Sequence, residues 1–394
     1  MMRVYLDNAA ATPLDSIVLD AMMPYFSVVY GNASAQHAMG REALKAIDIA
    51  RGQIALAINA LPNEIYFTSG GSESDNWAIR GVASAMRGKG RHIITSAIEH
   101  PAVLKTCKAL EKEGYEITYL PVDAGGVVDI TALKSSIRED TILISVMSAN
   151  NEVGTVMPTS EIGAIARERG IYFHTDAVQA IGNVSIDVKA MNIDMLSISG
   201  HKVYGPKGVG VLYKRNNVKC DRIISGGEQE RGYRAGTLNT PAIVGIGKSV
   251  EIAMRDKDVN CAYITALRDT LVDKVLSEIS DVTYNGANKD KLPGIVNMSF
   301  NMVEGQSLLT RLDLCGIFAS VGSACSAGSL QPSHVISAMG IPQDIARGTI
   351  RFSIGKHNTL EDINYTVEQL KDIVADLRKC TTLFHRIDND GKLV

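Results

Sequence analysis

Between residues 64 and 214 the chain repeats one device, a short apolar run followed by a stretch of helical periodicity. "EIYFTSGG" leads into "ESDNWAIRGVASAMRG", and "RHIITSAIEH" stops at Pro101, where a helix can begin. "TILISVMSANNEVG", "TSEIGAIARERG" and "IYFHTDAV" continue the series, and "DMLSISGHK" and "GVGVLYK" close it. Strands rich in Ile and Val, with helices between them, must be covered on both faces, which is the pattern of a largely parallel sheet built from βαβ units. The expected class is α/β. Polar residues gather just past the apolar runs: Ser69 to Ser72, His100, Asn150 and Asn151, Asp176 and Gln179, and Ser199 to Lys202. Open α/β sheets bind ligands outside the carboxyl ends of their strands, so five strand exits point to one crevice.

After about Asp256 the pattern changes. "ITALRDTLVDKVLSEI" is helical, "LPGIVNMSF" and "GTIRFSIG" read as strands, and "TLEDINYTVEQLKDIVADLRK" is a long amphipathic helix. The expected division is a large ligand-binding domain over 14–255. A smaller α+β domain takes 256–394 and packs with residues 1–13. At 394 residues, 45% hydrophobic and 21% charged, the chain can bury a large core without disulfides or structural metal. A net charge of -3 gives no reason to expect nucleic acid or an anionic membrane as a partner. "MMRVYLDNAAATPL" lacks the apolar stretch of a secretory signal, and no apolar run is long enough to suggest a membrane span, so the expected compartment is the cytoplasm.

The six cysteines form no CxxC pair, and their spacing fits neither a disulfide framework nor a zinc site. Most read as small buried hydrophobes. Cys325 does not, because "SVGSACSAGS" gives it only small neighbours that cannot pack a core.

Lys202, in "SISGHKVYGPKGVG", follows a strand and precedes a Gly/Pro-rich turn. Most lysines are solvated surface residues. One held in a crevice can form a Schiff base. Asp176, in "FHTDAVQAIG", could equally cap a helix N-terminus, with Gln179 on the same side of the turn. An Asp and a Schiff-base Lys in one crevice are what pyridoxal phosphate requires, since the carboxylate keeps the pyridine nitrogen protonated. "TSGGSES" supplies two glycines before a helix, a cradle for the phosphate. It is not a dinucleotide fingerprint, and "GIGKS" near Lys248 is not a P-loop, because Ala242 stands where the first glycine belongs. His100 is either structural or a proton carrier stacked on the cofactor ring. Arg351, on an apolar strand, needs a carboxylate partner, either a protein acid or an amino-acid substrate.

Taken in order, "YLDNAAATP", "FTSGGSESDN", "SAIEHPAV", "NNEVG", "HTDAVQAIG", "SISGHKVYGPKGVG", "ERGYRAGT", "GSACSAGS" and "IRFSIG" resemble the cysteine desulfurases, pyridoxal phosphate enzymes of the class V aminotransferase group and transferase fold type I. The resemblance covers nearly the whole chain and is to the group with a longer cysteine loop. It implies Lys202 as the cofactor-bearing lysine, Asp176 as the partner of the ring nitrogen, Gln179 as the ligand of the ring hydroxyl and His100 as the stacking histidine. It implies Gly71, Ser72, Ser199 and His201 around the phosphate, Asn151 at cofactor and substrate, and Arg351 on the substrate carboxylate. Thr237 is implied to reach the phosphate of a second subunit, hence a homodimer. Cys325 is implied to accept sulfur from L-cysteine as a persulfide, releasing L-alanine. No metal is implied.

Small residues around Cys325 are suited to a loop that must visit both the substrate and a sulfur acceptor. The family's acceptors are iron–sulfur scaffold proteins and tRNA-thiolation enzymes. Ala11 stands where the family often has Thr, and Gly71-Ser72 where it often has Ala-Thr; Ser72 keeps the hydroxyl. Three other readings use the same residues: an aminotransferase, with no use for Cys325; a selenocysteine lyase-like enzyme; and a non-catalytic sulfur-relay scaffold.

Overall fold

The apolar runs do pair into one large sheet, and a single reversed strand explains how their ends meet. The structure, a computed structural model, describes residues 2–287, 289–321 and 332–380, the last without its side chain. Cys325 therefore lies outside the described residues. Among the described residues the strands form three sheets. After β1 (Val4–Tyr5) come the seven strands of the large sheet: β2 (Ile65–Thr68), β3 (His92–Ser96), β4 (Glu116–Leu120), β5 (Thr141–Ser145), β6 (Tyr172–Asp176), β7 (Met195–Ser199) and β8 (Gly210–Lys214). Their order is β2-β8-β7-β6-β5-β3-β4.

β8 runs antiparallel to both β7 and β2, so two reversals leave β2 pointing the same way as β7. The remaining pairings are parallel. The C-terminal ends of β2, β3, β5, β6 and β7 therefore share one edge, and every polar cluster singled out above leaves from that edge. β5 is shorter than "TILISVMSANNEVG" suggests. It stops at Ser145, and Asn150 organises the turn that follows, its Oδ1 accepting the Glu152 and Val153 amides at 2.8 and 3.0 Å.

Side chains along these strands alternate between two cores, as a pleated sheet buried on both faces requires. Ile65, Phe67, Ile94, Ile144, Phe173, Leu196, Ile198 and Val211 face one core, against the helices Ala38–Ala57, Thr159–Glu168 and Thr240–Arg255. Tyr66, Ile93, Leu143, Met195 and Leu212 face the other, against Gly71–Ala85 and Pro101–Glu111. Fully buried Trp77 belongs to this second core. The "GIGKS" stretch lies within Thr240–Arg255. A Cβ on its Gly247 would sit 2.6 Å from the Cβ of Ala50, so the glycine serves close packing against Ala38–Ala57.

A three-stranded antiparallel sheet follows, ordered β12-β10-β9, from β9 (Val282–Asn285), β10 (Ile295–Phe300) and β12 (Thr349–Ser353), and β11 (Ile317–Phe318) pairs with β1. Its core joins Val296, Met298, Ile350 and Phe352 to the helices Lys257–Glu278, Gly305–Leu314 and Leu360–Cys380, and includes Val4 and Leu6 from the N-terminus. Among the described residues no helix is long and apolar enough to cross a membrane.

Candidate active site

A cleft of about 540 Å³ opens where the five strand ends meet. Gly71, Ser72, His100, Asn151, Asp176, Gln179, Ser199, His201, Lys202 and Arg351 all line it. Thr237 is exposed and outside it.

At one end of the cleft the helix Gly71–Ala85 begins. No side chain among the described residues caps it, and its first-turn residues Gly71, Ser72 and Glu73 line the cleft. Such an end is an anion site by virtue of its N–H groups and dipole. Space here is tight: a Cβ on Gly71 would lie 2.7 Å from Val178 Cγ2, and one on Gly210 would lie 2.5 Å from the Gly70 carbonyl carbon. The Glu73 side chain turns away to accept the Ser69 amide at 2.7 Å, and both its oxygens bind Arg234, at 2.8 and 3.0 Å. Ser199 Oγ contacts His201 Nδ1 at 2.9 Å. Burial, then the cations of Lys202 and Lys207, push the His201 pKa down to about 4, so its ring is neutral at neutral pH.

Asp176 also lines the cleft and is only 7% exposed. The helix-cap alternative does not apply, because the chain makes turns rather than a helix after β6, although Oδ1 accepts the Val178 amide at 2.8 Å. Burial raises the Asp176 pKa, while His100, the Val178 amide and Lys202 act to lower it. His100 is the residue that does cap a helix: its Nδ1 accepts the Ala102 amide at 3.1 Å at the start of Pro101–Glu111. That bond leaves the proton of the neutral ring on Nε2. Burial lowers the His100 pKa, Asp176 opposes this, and Lys202 and His334 reinforce it. Lys202 Nζ donates to the carbonyls of Ala9 and Ala10 at 2.5 and 2.7 Å, and Gln179 Nε2 donates to Ala9 at 2.9 Å.

Arg351 on β12 is 2% exposed and has a protein partner, Asp7, whose Oδ1 lies 2.7 Å from one terminal nitrogen. The other terminal nitrogen donates to the Asn151 carbonyl at 3.0 Å, and Nε has no partner among the described residues. The adjacent Asn150 is committed to its turn, which leaves Asn151 as the asparagine of the cleft.

Several residues of the site escaped the sequence reading: Asp7, Lys207, the carbonyls of Ala9 and Ala10, and Asp75. The first three carry no local signal, since their roles depend on contacts across the fold. Asp75 carried one. It lies on the apolar stripe of its helix with Trp77, Ala78, Ile79 and Val82, and an acid there is anomalous.

The arrangement suits pyridoxal phosphate on its own terms, with an uncapped helix end for a phosphate, a buried acid for a ring nitrogen, and an amine in the same cleft. Comparison with known proteins agrees. Residues 4–366 match the family model for class-V aminotransferases. The cysteine desulfurase IscS of Methanosarcina thermophila is 52% identical over 380 residues, 96% of this chain and 94% of that protein. A NifS-like protein of known structure superposes with a TM-score of 0.90 at 38% identity, over 95% of this chain and 100% of its own. SspA in complex with cysteine superposes with a TM-score of 0.80 at 41% identity, over 90% of this chain and 100% of its own.

Proposed function

The chain belongs to the class-V aminotransferase family and, within it, to the cysteine desulfurases, and we propose that its cleft turns L-cysteine into L-alanine by passing the sulfur to Cys325. It is a pyridoxal phosphate enzyme. The bound cofactor supplies an electron-withdrawing ring that stabilises negative charge on the substrate carbon.

The protein's own groups divide the remaining work. The amides of Gly71 and Ser72, with Ser199 and His201, hold the phosphate. Asp176 would hold a proton on the ring nitrogen, Gln179 would bind the ring hydroxyl and His100 would pack on the ring. Lys202 would carry the cofactor at Nζ, the atom that would also hold and move the substrate's α-proton. His100 holds its own proton at Nε2 and can accept a second only by giving up the Ala102 bond at Nδ1. Arg351, exchanging its bonds to Asp7 and the Asn151 carbonyl, would orient the substrate carboxylate together with Asn151. In the sulfur step the Cys325 thiolate forms an S–S bond, the substrate C–S bond breaks, and its electron pair stays with the carbon, which is then protonated. The sulfur is oxidised and the carbon reduced in one exchange, so no outside oxidant is needed.

One observation carries this reading: ten residues chosen from the sequence line a single cleft. Cys325 follows Ser320 by five positions in the chain. Ser320 exchanges backbone bonds with Arg351 at 2.7 and 3.1 Å, and the five residues from Ser320 to Cys325 span at most about 18 Å. Cys107 and Cys220 are poor rivals, since burial pushes both thiols up to about 12.

The same reading takes 14–255 as the cofactor-binding domain, with 1–13 and 256–394 carrying Cys325. It makes the enzyme a homodimer in which Thr237 serves the partner subunit's phosphate. In support, Thr237 is exposed outside its own cleft, and Ile17, Leu19, Met23, Phe26, Val28 and Tyr30 expose apolar surface on one stretch of chain. The persulfide goes to a protein acceptor in iron–sulfur assembly or tRNA thiolation, in the cytoplasm. The test is spectroscopic. Purified protein should show the visible band of lysine-bound cofactor, and Lys202→Ala should lack it. A band that survives in the variant would remove Lys202 from its role.

A further inference from the structure

Behind Asp176 lies a second carboxyl that the reading above does not use. Asp75 projects from the Gly71–Ala85 helix, is 1% exposed, and lines the cleft. A carboxyl oxygen of Asp75, a ring nitrogen of His100 and a carboxyl oxygen of Asp176 lie within 4.8 Å of one another. Two carboxylates that close in a dry site do not both ionise, so one keeps a proton.

The surroundings decide which. Asp176 accepts an amide from Val178 and is faced by His100 and Lys202, all of which favour its anion. Asp75 has less help, the Ser197 hydroxyl alone favouring its anion. Its Oδ1 has no hydrogen-bond partner among the described residues. The nearest ring is that of His174, with Nε2 at 3.7 Å, too far for a hydrogen bond. His174 is itself fully buried between the hydroxyls of Ser145 and Ser197, at 2.9 and 3.0 Å, and is held neutral. After burial, the negative charges of Asp176 and Glu99 disfavour the Asp75 anion. Burial and these neighbours push the Asp75 pKa well up.

We propose that Asp75 is a positioning residue, a neutral carboxylic acid that donates a hydrogen bond through one water to the Asp176 carboxylate and so holds it anionic for the cofactor's ring nitrogen. The inference rests on the cofactor reading above. Without the donor, Asp176 becomes more basic and draws the proton from the ring nitrogen. A less positive ring lets the nitrogen joined to Lys202 keep its own proton to higher pH.

The experiment titrates the visible band of the loaded enzyme with pH in the parent, Asp75→Ala and Asp75→Asn. Asparagine is neutral and keeps a donor, so its midpoint should match the parent's, whereas alanine should raise the midpoint by about one pH unit. A second measurement, the infrared difference between parent and Asp75→Asn, should show one protonated-carboxyl C=O band lost; it decides the matter if the alanine variant does not fold. The inference is overturned if asparagine shifts the midpoint as alanine does, if neither variant shifts it, or if no such infrared band is lost. A parent with no visible band would instead overturn the cofactor reading itself.

Discussion

At the scale of single residues, Arg351 shows what sequence can and cannot say. Its place on an apolar strand announced a buried cation in need of an acid, but which acid was unreadable, because Asp7 is 344 positions away in the chain. The same holds for Lys202, whose donation to the Ala9 and Ala10 carbonyls no local pattern encodes. His100 was legible as a site residue and illegible as a helix cap, since imidazole is an uncommon cap and Pro101 alone marked the helix start. The Asp7–Arg351 pair gives a direct prediction. Asp7→Asn leaves the guanidinium without its countercharge and should cost about 2 kcal/mol, less than a wholly buried pair because Asp7 is 21% exposed. Denaturant unfolding at matched cofactor loading measures it, and a change no larger than that of a typical surface substitution would show that Arg351 has other compensation.

At the scale of elements, β2, β3 and β5 to β8 were readable because each carries adjacent apolar residues that point to opposite faces, as a strand buried on both sides requires. The helices Ala38–Ala57 and Thr240–Arg255 were not. They meet through Ala50 and Gly247, small residues that let the backbones approach closely, and that pairing between helices about 200 residues apart depends on tertiary contact rather than local pattern. β4 is an edge strand with Glu116 exposed, and β9 and β11 are short, so their pairing depends on tertiary context. The element that matters most chemically is the start of the Gly71–Ala85 helix. Gly71→Val would drive a side chain toward Val178, 2.7 Å from the modest position of a Cβ. It should weaken cofactor binding at least about tenfold, or 1.4 kcal/mol, with the fold kept. Equilibrium dialysis of the cofactor measures this, and an unchanged affinity would remove the helix end from the phosphate site.

At the scale of the whole molecule, buried ionisable groups set the pH limits of the fold. His174, pushed down to about 3 from 6.5, stays neutral when folded while the unfolded chain takes up a proton; its contribution is present above 6.5 and is lost as pH falls toward 3. Glu99 works in the opposite direction. Burial raises it from 4.5 to about 8, so its contribution is complete below 4.5 and lost as pH rises through 8. Glu99→Gln cannot ionise and should gain stability relative to the parent as pH rises from 4.5 to 8, read from thermal unfolding across that range. A parallel pair of curves would mean that Glu99 is ionised in the fold. The central claim, that the cleft and Cys325 together move sulfur, is tested most directly by incubating the enzyme with L-cysteine without reductant and analysing products and protein mass. The account predicts one L-alanine released for each persulfide formed on Cys325, and none of either from Cys325→Ala. Pyruvate with the cofactor left in its amine form, or normal L-cysteine turnover by Cys325→Ala with reductant present, would contradict it.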